Sequence, residues 1–351
     1  MLEYVMNLFT HEMLVNIWFL LWSVIWIVYL IADSFPLGVG LLSPIAKNSA
    51  QTEQIVKTVS PFWGGNQVWL ILAAGGTFAA FPLIFSKMFT WLYLPMMLLL
   101  IGIILRGLFI ELIHYEKDEK LRNIFRWLWF LGSLIITIVL GVFFTNLFIG
   151  LPITVSETEY IYSGNLLGLF SPIAILGAIL FILLFTTSGS LWISHKTVGE
   201  VKEKTQSLSG KLSIATAVVA LIYIIGLFNK DGFATNYNDC VYLYIIPSIA
   251  VVFALLTIAL TLIPKTKSKP IAAFFTNLGT IIFGATVGII SLYPNILKSN
   301  IELGTGVDIF TGASSHMTLT LMLVAALVFV PIVLIYQTWT YTQFMEKIEE
   351  K

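Results

Sequence analysis

Residues 14–32 read LVNIWFLLWSVIWIVYLIA, nineteen positions without a charge, and Asp33-Ser-Phe-Pro-Leu-Gly-Val-Gly40 follows directly. An α-helix of that length rises about 28 Å, close to the roughly 30 Å hydrocarbon core of a bilayer. A backbone inside that core must satisfy its own amides, so the run predicts a membrane-spanning helix. A barrel strand would be shorter and would alternate in polarity. The run is too long for a signal-peptide core and no basic residue precedes it, so cleavage is not expected. Trp18, Trp22 and Trp26 recur every four residues, the pattern of a lipid-facing or helix-packing stripe.

The same signal repeats along the chain. Eight further stretches qualify, near 66–85, 91–113, 124–149, 166–190, 212–229, 241–263, 271–293 and 316–340. The expected fold is all-α, a polytopic membrane protein of nine transmembrane helices forming a single membrane-embedded domain, 1–351. Composition agrees: 58% of the 351 residues are hydrophobic and 11% are charged, with a mean hydropathy of +0.92. Soluble domains carry about 25% charged residues. Disorder, nucleic-acid binding and an ordinary soluble enzyme are excluded. One cysteine, Cys240, excludes a disulfide framework or a multi-thiolate metal site within the chain.

Net charge is zero, yet the basic residues are unevenly placed. Of the 19 Lys and Arg, 15 fall in alternate connections and the C-terminal tail. They are Lys47 and Lys57; Lys117, Lys120, Arg122 and Arg126; Lys196, Lys202, Lys204 and Lys211; Lys265, Lys267 and Lys269; Lys347 and Lys351. Only Lys87, Lys230 and Lys298 fall on the other side. Basic loops stay in the cytoplasm, so the N-terminus is expected outside and the C-terminus inside. An odd number of spans requires the same. The longest connection, 33–65, carries the apolar Phe35–Ile45 stretch, which is expected at the membrane surface or dipping into the bundle. A weak echo links Leu131-Gly-Ser133 and Gly141 to Leu278-Gly-Thr280 and Gly288, both at an offset of 147. It would suit a parallel repeat of two four-helix units, about 14–149 and 166–293, plus the final helix 316–340. Helix packing alone also places small residues at such spacings.

Ionisable groups inside spans are expensive and are usually paired or functional. Here they are Asp33 at the end of the first span and Arg106 and Glu111 in the third, with Asn66 and Gln67 opening the second. The orientation puts all five in the cytoplasmic third of the membrane. Arg106 and Glu111 lie five apart, about 140° around a helix, so each must look to another element. Asp33 is the natural partner for Arg106. Two readings stand: a structural ion pair, or a path for protons from the cytoplasm. The four histidines, His11, His114, His195 and His316, all sit in a tail, a loop or a span end. No convincing haem or metal ligand set emerges, although Met96 and Met97 are buried candidates. No nucleophile elbow and no phosphate-binding glycine loop occurs.

Certain motifs carry a resemblance. They are Asp33-Ser-Phe-Pro-Leu-Gly38-Val-Gly40, Pro61-Phe-Trp63-Gly-Gly65-Asn66-Gln-Val-Trp69, Ala74-Gly-Gly-Thr-Phe-Ala-Ala-Phe-Pro82, Leu105-Arg-Gly107 and Ser314-Ser-His-Met-Thr-Leu-Thr320. In order and spacing the chain resembles subunit II of bacterial cytochrome bd quinol oxidases over nearly its whole length. The resemblance implies a haem-free, nine-helix subunit in the cell membrane, heterodimeric with a homologous subunit I that carries haems b and d. No catalytic, cofactor-binding or metal residue is implied in this chain alone. The complex oxidises quinol and reduces dioxygen to water, taking protons from the cytoplasm. Subunit II stabilises its partner and can supply protons; small accessory membrane subunits, lipid and quinone are further implied partners. The chain departs from the family pattern at Pro36 and Gly64, where aspartates are usual, and at Ile113, where a basic residue is common. A secondary transporter with buried polar groups in spans one to three, or a purely structural membrane subunit, would share the composition.

Overall fold

The structure, a computed structural model, describes residues 8–156, 159–263, 269–302 and 304–349. Lys265, Lys267 and Lys351 of the basic set lie outside the described residues. Helix α1 (His11–Leu42) begins at Thr10, whose hydroxyl accepts from the Met13 amide at 3.2 Å. It does not stop at Asp33. It runs on through Pro36, so Phe35–Ile45 forms the last turns of the helix and a 3₁₀ turn rather than a surface segment. Burial explains the continuation. A Cβ on Gly38 would lie 1.7 Å from the Phe185 carbonyl oxygen, and one on Gly189 would lie 2.3 Å from the Gly38 carbonyl carbon. Two helices cross here backbone to backbone, and only glycine fits on either side.

A short helix α2 (Ser49–Lys57) leads into α3 (Trp63–Ala80). The expected span 66–85 is broken: α4 (Pro82–Trp91) leaves α3 at 119°. Pro82 lacks an N–H and drives Phe81 out of the helical region, to φ −131° and ψ 64°. Then come α5 (Tyr93–Tyr115) and α6 (Glu119–Ile149), the latter capped by the Asp118 carboxylate. A hairpin of β1 (Ile153–Val155) and β2 (Tyr160–Tyr162) follows. Helix α7 (Pro172–Lys196) starts later than the apolar run suggests, at the Ser171 cap and Pro172. Helix α8 (Gly199–Phe228) starts earlier than expected. The chain continues through α9 (Thr235–Asp239), α10 (Ile245–Leu262) and α11 (Pro270–Ser291). A second hairpin, β3 (Asn295–Lys298) with β4 (Gly306–Asp308), precedes α12 (Ile309–Gly312) and α13 (His316–Gln343). Among the described residues eight helices are long and apolar enough to span a membrane, with the bent α3–α4 pair as a ninth.

The ends sort onto two faces. On one, Lys47 pairs with Glu200, the Lys204 ammonium donates to the Ile45 carbonyl at 3.0 Å, and the Gln54 amide donates to Ile348 at 3.0 Å. The segments rich in Lys and Arg thus meet on one side. On the other, the Leu151 amide donates to Lys298 at 2.9 Å and Asn236 donates to the Ile290 carbonyl at 2.7 Å. The Ser314 amide donates to Ala80 on that same face, so α3 reaches it before turning aside. The tryptophan stripe of α1 is a packing face: all three rings are buried, with Trp18 Nε1 donating to the Leu319 carbonyl at 3.0 Å and Trp22 Nε1 to Thr77 at 2.9 Å.

In the far half of the bundle the buried polar side chains, among them Ser188, Thr216 and Asn277, are hydrogen-bonded between helices, and the space left is lined by apolar side chains. Between α7, α8, α10 and α11 lies a cavity of about 300 Å³, walled by Phe181, Leu184, Leu221, Ala254, Ile281 and Gly284 among others.

Two measurements test the layout. Reporter fusions after Lys204 and Lys269 should read cytoplasmic and one near Asn236 external; reversed signals at two of these would overturn the crossing order. On the external face, burial pushes the Lys298 ammonium down to about 8. At pH 8 roughly half of it would be neutral, against less than about 1% of an ordinary lysine. An amine-directed ester at that pH should acylate Lys298 ahead of the other lysines on its face; mass spectrometry of the peptides reads the order.

Candidate functional site

Asp33 lies nine residues before the end of α1, so its carboxylate stands about 14 Å along the axis from the helix terminus. Arg106 lies equally far from the end of α5. The two are nearer mid-bilayer than a helix-end reading allows. Arg106 Nη1 donates to Asp33 Oδ2 at 2.6 Å and Nη2 to Oδ1 at 2.8 Å, and both side chains are 1% exposed. This fork-to-fork geometry uses both carboxylate oxygens. Arg106 Nη2 also approaches the Trp63 carbonyl at 3.5 Å, and the Trp63 ring lies 5.9 Å from the guanidinium carbon. The indole fits because Gly107 leaves room: a Cβ there would sit 3.2 Å from the ring. Trp63 Nε1 donates in turn to Glu111 Oε1 at 3.0 Å. Glu111 is exposed on the outer side of α5, so Trp63 bridges a surface carboxylate to a buried ion pair.

Asn66 is a second hub, and Pro36 explains it. In a regular helix the Ala32 carbonyl would accept from the amide of residue 36, but proline has none. Asn66 Nδ2 supplies the missing donor at 2.6 Å. Its Oδ1 accepts from Gln337 Nε2 at 3.0 Å and from the Tyr341 hydroxyl at 2.8 Å. Trp69 Nε1 donates to Gln337 Oε1 at 2.8 Å. The last helix, α13, is therefore part of the site, and sequence reasoning missed both of its residues. Gln337 and Tyr341 lie a turn apart on an otherwise apolar face, the one local sign available. Gln67 does not join: its Oε1 is buried without a hydrogen-bond partner and it shares no bond with Asn66.

Below the pair, towards the basic face, aromatic rings close the bundle. Phe35 packs on Trp192 at 4.3 Å, and Phe62 stacks on Tyr341 at 4.7 Å. Trp192 Nε1 is anchored on the Thr58 carbonyl at 2.9 Å. Gly38 and Gly40 serve packing: Gly38 meets α7, and a Cβ on Gly40 would lie 2.1 Å from the Ser133 hydroxyl. Gly64, Gly65 and Gly75 point the other way. A Cβ on any of them meets nothing within 4 Å, and all three are exposed on α3. The space left by Gly64 is thus on the outer face of α3, away from Asn66.

The family model for the cytochrome bd terminal oxidase subunit II matches residues 14–344. The chain belongs to that family. It is accordingly a subunit of an oxidoreductase complex and a multi-pass protein of the bacterial membrane. Among curated relatives of this subunit II chain, the "Probable cytochrome oxidase subunit 2" of Haemophilus influenzae is 30% identical over 370 aligned positions, covering 97% of this chain and 96% of that one. The "Cytochrome bd-I ubiquinol oxidase subunit 2" of Escherichia coli strain K12 is 29% identical, with 97% of each covered. The "Cytochrome bd ubiquinol oxidase subunit 2" of Bacillus subtilis is 27% identical, over 96% of this chain and 97% of that one. In fold, the chain superposes on a solved bd oxidase from Geobacillus thermodenitrificans with a TM-score of 0.75 at 18% identity, covering 94% of this chain and 98% of that chain.

Removing one member of a buried ion pair commonly costs about 3–5 kcal/mol, because the other charge is left uncompensated. Arg106→Leu should therefore reduce the amount of assembled complex recovered from membranes far more than turnover per complex. Normal recovery with lost turnover would instead give the arginine a direct part in the reaction.

Proposed function

We propose that this chain is the haem-free subunit II of a quinol:oxygen oxidoreductase of the cytochrome bd type. It holds the partner, a subunit I carrying haems b and d, in its working form. The complex oxidises quinol and reduces dioxygen to water, which adds to the proton gradient. The observation that carries the reading is the locked polar core. The Asp33–Arg106 fork and the Asn66 hub tie α1, α3, α5 and α13 together. Three of these, α3, α5 and α13, present long exposed apolar faces, including Ile71, Phe78, Leu98, Ile104, Leu327 and Ile335. Faces of this kind suit a large membrane partner. Outward Gly75 adds a place for close helix approach. The histidines also favour a haem-free chain. His316 Nε2 donates to the Phe9 carbonyl, His114 bonds Ser60, and both stand at helix ends. Lipid, quinone and small accessory subunits remain partners of the complex in this reading.

We further propose that proton uptake, where this subunit assists it, starts at Glu111 rather than Asp33. Both Asp33 oxygens are engaged by the guanidinium, whereas Glu111 is exposed and linked inward through Trp63. The parallel repeat has support too. Gly132 and Gly279, one glycine pair of the echo, each face the preceding helix, whereas the other pair does not correspond: Gly141 faces Ala178 and Gly288 faces Phe148. A Cβ on Gly132 would lie 2.6 Å from the Arg106 amide, and one on Gly279 2.4 Å from the Phe253 ring.

Asp33→Asn and Glu111→Gln test the division. Glu111→Gln should slow quinol-dependent oxygen uptake per assembled complex, and more so as pH rises and protons become scarce. Asp33→Asn should lower the yield of complex and leave the turnover of what assembles. Near-normal turnover in Glu111→Gln across roughly pH 6–8, the range between the carboxylate and amine pKa values, would remove the proton role and leave the scaffold.

A further inference from the structure

We propose that His114 relays protons from the cytoplasm to Glu111 through its own ring nitrogen Nδ1. The inference rests on Glu111 as the point of entry. His114 stands three residues after Glu111 on α5, a spacing that makes the two side chains neighbours on the helix surface. Its ring is half-buried, whereas Glu111 is exposed. His114 Nε2 lies 2.7 Å from the Ser60 hydroxyl, and that hydroxyl donates its one hydrogen to the Val56 carbonyl at 2.9 Å. The serine oxygen is left to accept from the ring, so Nε2 carries the hydrogen of the neutral imidazole. The lone pair is then on Nδ1. Among the described residues nothing bonds Nδ1, and on a half-buried ring it stays open to water.

Four charged groups face the ring: Glu111 on its own helix, Glu53 and Lys57 on α2, and Arg122 on α6. Three of them are engaged with other groups. Glu53 pairs with Lys57 at 2.5 Å, and the Arg122 guanidinium donates to the Glu116 carbonyl at 2.6 and 3.0 Å. Glu111 accepts on Oε1 from the neutral Trp63 indole and takes part in no ion pair among the described residues. It is thus the carboxylate of this cluster with an oxygen left for a proton. The transfer moves one proton and no electrons. Water of the basic face protonates Nδ1, and the ring becomes a cation. Nδ1–H then yields that proton to Glu111 Oε2 across a water, and the lone pair returns. Nε2–H stays on Ser60 throughout, so the ring need not turn. An imidazole exchanges protons near neutrality, where an ordinary carboxylate is almost always empty. Such a relay keeps Glu111 supplied when bulk protons are scarce.

The test uses the assembled complex in membranes, with quinol-dependent oxygen uptake per complex followed across roughly pH 6–8. His114→Gln keeps an N–H for Ser60 but cannot bind a proton. It should lose on the order of tenfold in turnover at the alkaline end and little at the acid end. That is below the 10²–10⁴ or so of a full acid–base partner, because bulk water still loads Glu111 slowly. His114→Ala should lose as much and recover when imidazole is added to the medium, with no response from the unaltered complex. This second variant decides the matter should the first fail to assemble. In a Glu111→Gln background, His114→Gln should add no further loss. Normal turnover of His114→Gln at the alkaline end would overturn the relay and leave His114 a pin for the turn before Trp63. So would an equal loss at both ends of the range, or a His114→Ala complex that imidazole does not restore. Glu111→Gln alone separates the relay from the reading beneath it. A slow Glu111→Gln beside a normal His114→Gln removes the relay only; normal turnover in Glu111→Gln removes the entry site, and the relay with it.

Discussion

The guanidinium of Arg106 is 1% exposed and cannot reach water from where it sits, so the bundle is built around neutralising it. An isolated charge at this depth would be prohibitive, and a single well-aligned carboxylate with additional hydrogen-bonding contacts is the minimal remedy. Asp33 provides it from another helix, which fixes the rotation of α1 against α5. Once α1 is so turned, Gly38 must face α7 and the tryptophan stripe must face α3, α6 and α13. Packing elsewhere follows from that one orientation. The aromatic layer of Phe35, Phe62, Trp192 and Tyr341 then keeps water of the basic face from competing with the pair.

Pro36 shows how a substitution in one helix is answered in another. A proline four residues after Ala32 frees a carbonyl that lipid cannot satisfy. Asn66 answers it and thereby brings its own carbonyl oxygen round to Gln337 and Tyr341. The carbonyl that Pro36 frees is thus satisfied from a neighbouring helix. Asn66 also recruits the last helix to the first through the second, which gives α13 a polar anchor on an otherwise exposed, apolar helix.

How much of this was legible in the sequence depended on range. Spans were legible because each is a local sum of apolar residues. The need of Arg106 for a partner was legible from cost alone, and Asp33 from depth. The end of α1 was misplaced because charge at Asp33 reads as a boundary, whereas a paired charge does not stop a helix. The break at Phe81 was masked by the apolar run on both sides of Pro82, although the proline itself was the signal. The hairpins around Ile153 and Asn295 are too short to show a period. Gln337 and Tyr341 lie some 270 residues from Asn66, and no local rule connects them. Gly64 opens no space beside the internal Asn66, because two residues along a helix turn about 200°, which puts Gly64 on the outer face.

The two halves of the bundle solve the same problem in opposite ways. Near α1, polar groups are paired across helices: Asp33 with Arg106, Asn66 with a freed carbonyl, Trp63 with Glu111. Near α8 and α10, hydroxyls are satisfied within or between helices and the remaining space is apolar. A matched polar core loses much when disturbed, so it suits the side that must hold a fixed shape against a partner. This division argues that the exposed glycines of α3 and the exposed face of α5 mark the assembly surface.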